Sequence, residues 1–223
     1  MTSANKQMIK NILSLPDAPA IVKEVDDILK DEKKRRQDFY NDMTDEHKVE
    51  FINGEIIIHS PVKKEHNDAS GNLYQLIGPF VKKNKLGYVG YEKIMITLSR
   101  NDYEPDICFF NKEKSKYFKK GQSLFPAPDV VVEVLSKGTE KNDRGIKFND
   151  YQAHNVHEYW IIDPIKEVVE QYRLDVDGEY ELILKASNGW LYSEVIQDFN
   201  ILIESIFDEE LNLKELVRLL ENN

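Results

Sequence analysis

PDVVVEVLS, residues 128–136, is the most apolar β-branched run in the chain. It is short and is bounded by Pro128 and Gly138, and a run of this kind predicts a central strand that is buried on both faces. Glu133 interrupts the run, and a charge inside a buried strand is costly unless something compensates it. The run therefore predicts both the centre of a sheet and a candidate functional carboxylate.

The segments on either side predict a mixed α/β domain around this strand. EPDICFF (104–110) is a short apolar run with a proline near its start, where a strand tolerates one, and HEYWIIDP (157–164) predicts another buried strand. TEKNDRGIKFNDYQAHNV (139–156) predicts one helix, with Thr139 as its cap. Together these segments predict a central mixed sheet flanked by helices.

Further upstream, VEFINGEIIIHS (49–60) predicts two strands around an Asn-Gly turn. A helix is expected over 66–84, because apolar residues recur there at three- and four-residue spacing. GYVGYEKIMITLS (87–99) alternates like a single strand, and residues 111–128 predict a long loop. The apolar residues of the expected helix are Leu73, Leu76, Ile77 and Phe80.

The two ends of the chain complete the organisation. Three runs between 167 and 197, EVVEQYRLD, EYELILK and GWLYSEVIQ, predict strands of a closing meander. Residues 1–48 are polar and helix-compatible, and we predict a helical extension outside the core, before a domain over 49–210. Residues 211–223 are expected to pack on that domain as the end of a helix over 209–221. Its apolar face is expected to carry Leu213, Leu216, Val217 and Leu220.

Composition limits the classes of function. The chain has 223 residues, 41% hydrophobic and 31% charged, and a formal net charge of −10, which excludes a uniformly basic nucleic-acid-binding surface. Its one cysteine, Cys108, excludes an internal disulfide and, with few histidines, a Cys/His zinc site. Neither a signal-peptide pattern nor a membrane-spanning run is present in the sequence, so a cytoplasmic protein without membrane attachment is expected.

Asp106 and Glu133 are the residues that point to chemistry. They lie on two apolar strands, and adjacent strands would bring both carboxylates together, where their charges repel. A bound cation removes the cost of this repulsion. Hard oxygen ligands favour Mg²⁺ or Mn²⁺ as that cation, and either ion activates a bound water. Asp143, Lys147 and Tyr151 are spaced by four, so they would share one helix face that could present Lys147 to the site.

Each of these residues also has a purely structural interpretation. Asp106 could be a turn residue, Glu133 a core carboxylate paired with a lysine, and Lys147 a solvated helix lysine. The lysine-rich segments 63–64 and 112–120 could contact phosphates or only confer solubility. Five further residues are candidate supporting groups: Glu55, His66, Glu92, Ser136 and Asp143. Their structural interpretations are, in the same order, a hairpin residue, a cap, a strand residue, the end of a strand and an ion-pair partner of Lys147.

The order and spacing of EPDICFF, PDVVVEVLS, TEKNDRGIKFNDY and HEYWIIDP resemble the Uma-type restriction-endonuclease family, within the PD-(D/E)XK nuclease superfamily. NGEIII, Ser60, Pro61 and His66 extend the resemblance, which covers about residues 49–210. The resemblance implies a restriction-endonuclease-like sheet and a metal held by Asp106, Glu133 and the backbone carbonyl of Val134. It also implies that Lys147 replaces the usual superfamily lysine, because Leu135 occupies that lysine's place.

The sequence therefore predicts a Mg²⁺- or Mn²⁺-dependent endonuclease that acts on DNA. A homodimer is the default expectation, because cutting a duplex needs two cuts and the chain has one visible site. Two other classes stay open: a non-cleaving nucleic-acid-binding or regulatory module on a nuclease scaffold, and a protein-interaction component that docks through its N-terminal helix.

Overall fold

The computed structural model describes residues 3–44 and 47–221 of the chain. The helices in this part are α1 (Ser3–Leu13), α2 (Ala18–Asp42), α3 (Lys64–Asn84), α4 (Lys112–Ser115), α5 (Glu140–Asp143), α6 (Ile146–Ala153) and α7 (Glu209–Glu221), with a 3₁₀ turn at Ile203–Ile206. The strands are β1 (Val49–Ile52), β2 (Glu55–Ile58), β3 (Gly87–Tyr91), β4 (Met95–Thr97), β5 (Asp102–Tyr103), β6 (Ile107–Asn111), β7 (Leu124–Phe125), β8 (Val130–Val134), β9 (Glu158–Asp163), β10 (Val168–Leu174), β11 (Tyr180–Ala186), β12 (Trp190–Tyr192) and β13 (Asn200–Leu202).

A six-stranded mixed sheet forms the centre of the molecule. Its order is β11-β10-β9-β8-β6-β3, and within it β8 and β9 are parallel while the other neighbours are antiparallel. A second sheet has the order β2-β1-β5-β4-β7, and β12 pairs with β13 in a separate ribbon. The predicted mixed α/β fold with a central sheet flanked by helices is confirmed.

The run 128–136 forms the middle of this sheet, as predicted. Val130, Val132 and Val134 face a core that includes Leu73 and Leu76 of α3. Because successive side chains of a strand point to opposite faces, Glu133 projects to the other face. Val131 and Leu135 lie on that second face, in a core that also contains Tyr151. The alternation of β8 therefore aims Glu133 at α6.

The β1–β2 hairpin confirms the predicted Asn-Gly turn. Asn53 and Gly54 both have positive φ, 51° and 84°, which is the conformation that a tight two-residue hairpin requires. A side chain on Gly54 would lie 2.9 Å from the end of the flexible Arg35 side chain, which can move aside, so the positive φ is what favours glycine here. The turn fixes the register in which Glu50 faces Ile57.

The single strand predicted over 87–99 is wrong. The segment forms β3 in the central sheet and β4 in the second sheet, with a bend between them. Glu92 lies at the bend with φ of 46°, and its backbone N–H donates to the carbonyl of Asp106 at 2.9 Å. Alternation alone does not show that the chain changes sheets, because β3 and β4 each keep a period of two.

The single helix predicted over 139–156 is also interrupted. It consists of α5 and α6, which are separated at Arg144 and Gly145. A side chain on Gly145 would lie 2.7 Å from the carbonyl oxygen of Lys141, so the chain passes through the break only with glycine there. Thr139 precedes α5 but forms no side-chain cap; its hydroxyl lies 3.0 Å from that of Ser136.

Two smaller predictions need correction. The loop over 111–128 contains α4 and the two residues of β7, which pair with β4. The segment 189–197 does not continue the meander of β10 and β11: only Trp190–Tyr192 is a strand, and it pairs with Asn200–Leu202. The β4–β7 and β12–β13 pairings are short and join distant or irregular segments, so they leave no sustained hydrophobic period in the sequence.

The predicted C-terminal helix is confirmed as α7, but its predicted apolar face is correct only at Leu216, which packs against the core. Leu213 is 57% exposed and Val217 and Leu220 are also exposed, whereas Leu219 is 3% exposed. Polar residues share the buried face: Asn212 donates to the carbonyls of Asn72 and Ser205, and Glu215 accepts from the N–H of Leu202. Hydrogen-bonded polar residues therefore hold the positions that a hydrophobicity pattern would assign to solvent.

The N-terminal helices are only partly outside the core. Phe39 of α2 is buried in a small cluster with Phe51 and Met95, and Arg36 donates to Asp102. The apolar residues Val25 and Ile28 nearer the start of α2 are exposed. The prediction that this segment lies outside the core is therefore wrong for the second half of α2.

Across the described ranges, none of the helices combines the length and apolar character that crossing a membrane requires.

Candidate active site

Two adjacent strands bring Asp106 and Glu133 to the same end of the central sheet. Ile107 of β6 pairs with Val132 of β8, so Asp106 and Glu133 stand one position beyond that pair on each strand. Both carboxylates are buried. Oδ2 of Asp106 accepts a hydrogen bond of 2.7 Å from the backbone N–H of Val134, which ties the two strands together at this point. The predicted adjacency of the two strands is confirmed.

Glu133 lies against α6. Its Oε1 accepts hydrogen bonds of 3.1 Å from the ammonium of Lys147 and 3.1 Å from the hydroxyl of Tyr151. Burial raises the pKa of Glu133 well above its usual range, because Lys147 compensates it only in part while Asp143 and Asp106 add like charge. A further cation at this carboxylate would therefore favour its ionised form.

Lys147 is enclosed by carboxylates. Its Nζ lies 2.8 Å from Glu50, 3.1 Å from Glu133 and 3.2 Å from Asp143, and the side chain is 2% exposed. Burial opposes the ammonium charge, but these acids outweigh it and hold the pKa of Lys147 well above its ordinary value. Asp143 and Lys147 do not share a helix as predicted, since they lie on either side of the Gly145 break, yet the structure still pairs them.

Asp106 is held by two basic groups from other elements. Its Oδ1 lies 2.8 Å from Nζ of Lys48, and its Oδ2 lies 3.4 Å from Nε2 of His66, in the first turn of α3. Burial opposes the charge of Asp106, but Lys48 and His66 outweigh it and hold the pKa of this carboxyl below its usual range. His66, one of the predicted supporting residues, therefore does contact the site.

Glu50 belongs to the cluster and was missed by the sequence interpretation. It is fully buried in β1, where its Oε1 bonds Lys147 and accepts from the N–H of Glu104, and its Oε2 lies 3.0 Å from Nε2 of His59. A signal for it exists in the sequence, because VEFI places a carboxylate inside an apolar strand, as VVVEVL does for Glu133. Lys48 was also missed, and it lies just before that strand.

Three predicted supporting residues lie outside this cluster. Glu55 stands at the exposed end of the hairpin, where its nearest basic partner is Arg35 at 3.8 Å. Glu92 lies at the bend after β3 and touches the site through its backbone only, by the hydrogen bond to Asp106. Ser136 accepts from the N–H of Thr139 and so shapes the turn after β8. The described contacts of these three residues favour their structural interpretations, and their supporting roles stay predictions.

The two lysine-rich segments differ in their distance from the cluster. Lys63 and Lys64 lie at the start of α3, next to His66, and Lys64 pairs with Asp68. The segment 112–120 follows the far end of β6, about 17 Å from Asp106 at the usual rise of a strand. The segment 112–120 therefore lies away from the cluster, at the opposite end of β6.

The oxygen donors at the sheet end suit a hard divalent cation. In the described ranges, no three acidic, histidine or cysteine residues are arranged to hold a metal together. Mg²⁺ needs fewer, since one or two carboxylates usually hold it and water completes the shell. The N–H of Val134 points to Asp106, and its carbonyl leaves the strand on the same side. Asp106, Glu133 and this carbonyl thus fit Mg²⁺ or Mn²⁺ by donor chemistry.

Comparison with known proteins gives the family. A protein-family model named Uma2, described as "Putative restriction endonuclease", matches residues 36–204, which is well over half of the chain. The chain belongs to the Uma2 family. This confirms the resemblance seen in its motifs, and the family description places the chain among nuclease-like proteins. The matched range contains Glu50, Asp106, Glu133 and Lys147, and it leaves out α1 and α7.

The chain is also similar to two curated proteins and to one solved structure. The uncharacterized protein sll1609 of Synechocystis sp. is 28% identical over 137 residues, which is 60% of this chain and 77% of the relative. A second uncharacterized protein of that organism, slr1290, is 27% identical over 139 residues, 61% of this chain and 71% of the relative. A crystal structure from Anabaena variabilis, described as a putative nuclease belonging to DUF820, has a TM-score of 0.65 at 21% identity. It covers 76% of this chain and 94% of its own, and so establishes a shared fold.

Proposed function

We propose that this Uma2 protein is a metal-dependent nuclease that hydrolyses phosphodiester bonds of DNA. The observation that carries the proposal is the position of Asp106 and Glu133, two buried carboxylates at facing positions of adjacent strands. Like charges this close inside a protein need compensation, either by a cation or by protonation of one carboxyl group, and a bound metal ion is one such cation. Family membership supports the same reaction class.

Asp106, Glu133 and the carbonyl of Val134 would hold the metal. When bound, Mg²⁺ or Mn²⁺ supplies a Lewis acid for a phosphate oxygen and lowers the pKa of a bound water. The chain's own residues keep the donors in place: Val134 N–H and His66 orient Asp106, while Lys147 and Tyr151 orient Glu133. Groups that orient a metal ligand in this way affect activity almost as strongly as the ligand itself.

The test is cleavage of supercoiled plasmid by the purified protein with Mg²⁺ or Mn²⁺. We expect conversion to nicked or linear DNA, no conversion in EDTA, and a loss of at least about 100-fold for Asp106→Asn and for Glu133→Gln. Glu55→Gln is the matched control, because Glu55 is exposed and lies away from the cluster. Circular dichroism of each variant verifies that it is folded.

Failure to cleave either DNA or RNA with either metal would contradict the proposal. Full activity of Asp106→Asn would contradict the assignment of the site. The first result would favour the second candidate, a nucleic-acid-binding module that does not cleave.

One observation favours that second candidate. Each carboxylate already has an ammonium partner without any metal, Asp106 with Lys48 and Glu133 with Lys147. A site that is neutralised in this way can persist as a purely structural cluster. The binding module predicts salt-dependent DNA binding that Glu133→Gln leaves unchanged, whereas the nuclease predicts loss of cleavage in that variant.

A further inference from the structure

Two lysines reach the acidic cluster, and they differ in exposure. The side chain of Lys147 is 2% exposed, whereas that of Lys48 is 21% exposed. Lys147 comes from α6 behind the sheet, and Lys48 comes from the residue that precedes β1. The two ammonium groups therefore meet the cluster on an inner side and on a solvent side.

The inner lysine is enclosed by acidic groups. Three carboxyl groups, from Glu50, Glu133 and Asp143, lie between 2.8 and 3.2 Å from Nζ of Lys147. A substrate phosphate at this ammonium would have to enter a buried site beside these carboxyl groups, which disfavour a further anion.

The outer lysine is fixed in position and partly exposed. Its carbonyl accepts the N–H of His59 at 3.0 Å, which anchors the backbone to the end of the hairpin. Its ammonium lies 2.8 Å from Oδ1 of Asp106, while the N–H of Val134 takes the other oxygen of that carboxylate. Lys48 thus contacts Asp106 through a side chain that is 21% exposed to solvent.

The acidic groups of the cluster affect how a phosphodiester could approach the site. Four carboxyl groups lie within ion-pair distance of these two lysines, so acidic groups outnumber the lysines: Glu50, Asp106, Glu133 and Asp143. A phosphodiester anion that approaches carboxylates is repelled unless a cation faces it on the solvent side. Among the described basic residues paired with the cluster, Lys48 has the largest exposed side-chain fraction.

We propose that Lys48, and not Lys147, is the cation that contacts the substrate phosphate, while Lys147 is a positioning residue that holds Glu50, Glu133 and Asp143 together. This inference rests on the proposed function, because it names the group of that same site that touches the nucleic-acid backbone. A lysine ammonium binds phosphate as a compact point charge and needs no planar geometry to do so.

The test measures binding of a fluorescein-labelled DNA duplex by anisotropy, in Ca²⁺ and over a range of salt concentrations. Lys48→Gln keeps an N–H donor for Asp106 but removes the charge. We expect it to weaken binding and to lower the slope of log K against log salt by about 0.9, the value for one phosphate contact. Lys48→Arg should restore the slope, and Lys116→Gln, an exposed lysine beyond the far end of β6, should leave it unchanged.

Lys147→Met is measured beside these variants, with thermal unfolding of each. We expect Lys147→Met to lower the melting temperature and leave the salt slope at the wild-type value. The inference is overturned if Lys48→Gln lowers only the melting temperature, or if the slope falls in Lys147→Met instead. If the wild-type protein binds DNA but does not cleave it, the proposed nuclease activity is contradicted and the assignment of Lys48 is retained. If the wild-type protein does not bind DNA, both proposals are contradicted.

Discussion

Glu50 connects β1 to the cluster through both of its carboxylate oxygens, one towards Lys147 and one towards His59. Burial opposes its charge, but Lys147 and His59 outweigh burial and lower the pKa of Glu50 to about 2, from an ordinary value of 4.5. A carboxyl whose pKa is lowered by folding stabilises the protein above its unfolded pKa. That contribution disappears as the pH falls through the folded pKa.

We therefore expect Glu50→Gln to lower the free energy of unfolding by about 3–5 kcal/mol near neutral pH, since it removes one partner of a buried ion pair. The deficit relative to wild type should be full above about pH 4.5 and should shrink as the pH falls towards 2, where wild-type Glu50 is protonated too. Urea denaturation at several pH values measures this. Glu55→Gln, in the same hairpin but exposed, should change stability by less than about 0.5 kcal/mol. A deficit that does not depend on pH would contradict the pKa assigned to Glu50.

A residue of the site could be predicted from the sequence only where its signal lies in the residues next to it in the chain. Glu133 could be found because a charge inside an apolar strand is visible in the run itself. Glu50 obeys the same rule in VEFI. Lys48 has no such signal: its partner Asp106 lies 58 residues further along the chain, and only the pairing of the two sheets' strands brings them together.

At the level of elements, α7 shows where a hydrophobicity pattern selects the wrong face. Its packing side consists of Leu219 together with the buried polar residues Asn212 and Glu215. Truncating a buried leucine removes transfer free energy and leaves a cavity. We expect Leu219→Ala to cost about 2–4 kcal/mol of unfolding free energy. Leu213→Ala, the same change on the exposed face, should cost less than about 0.5 kcal/mol.

Urea denaturation of the two alanine variants gives the comparison directly. Equal costs for Leu219→Ala and Leu213→Ala would mean that α7 does not pack as described, and a larger cost for Leu213→Ala would restore the face predicted from the sequence.

The elements predicted correctly are those whose pattern is complete within a few residues. β8 and β9 are continuous apolar runs, and the Asn53-Gly54 turn is specified by two residues with positive φ. The break at Gly145 was missed because a single glycine is tolerated in many helices. What requires glycine there is a close approach to the carbonyl of Lys141, which the sequence does not display.

At the scale of the whole molecule, the fold class followed from the order of the segments, whereas the division into two sheets did not. The second sheet joins β1, β4, β5 and β7 from widely separated parts of the chain, through pairings as short as two residues. It is this sheet that delivers Glu50 and Lys48 to the end of the central sheet. The half of the site that the sequence interpretation missed is therefore the half that depends on long-range pairing.

The N-terminal helices carry a large exposed apolar surface, formed by Met8, Ile9, Leu13, Leu15, Val22, Val25, Ile28 and Leu29. Large exposed apolar patches usually mark interaction sites. α1 contains Lys6 and Lys10 and no acid, while the first half of α2 is acidic, with Glu24, Asp26, Asp27 and Asp31 against Lys23 and Lys30. A basic α1 and an acidic α2 are complementary across a two-fold axis, where α1 of each copy meets α2 of the other.

We accordingly expect a homodimer that associates through α1 and α2 of a second copy. Light scattering coupled to size-exclusion chromatography should give twice the chain mass for wild type and the single chain mass for the double variant Val25→Glu, Leu29→Glu. Val176→Glu, on the exposed turn between β10 and β11, should remain dimeric. Because each chain has one site, the monomeric variant should nick plasmid but linearise it far more slowly than wild type does. Monomeric wild-type protein, or a double variant that still dimerises, would rule out this interface.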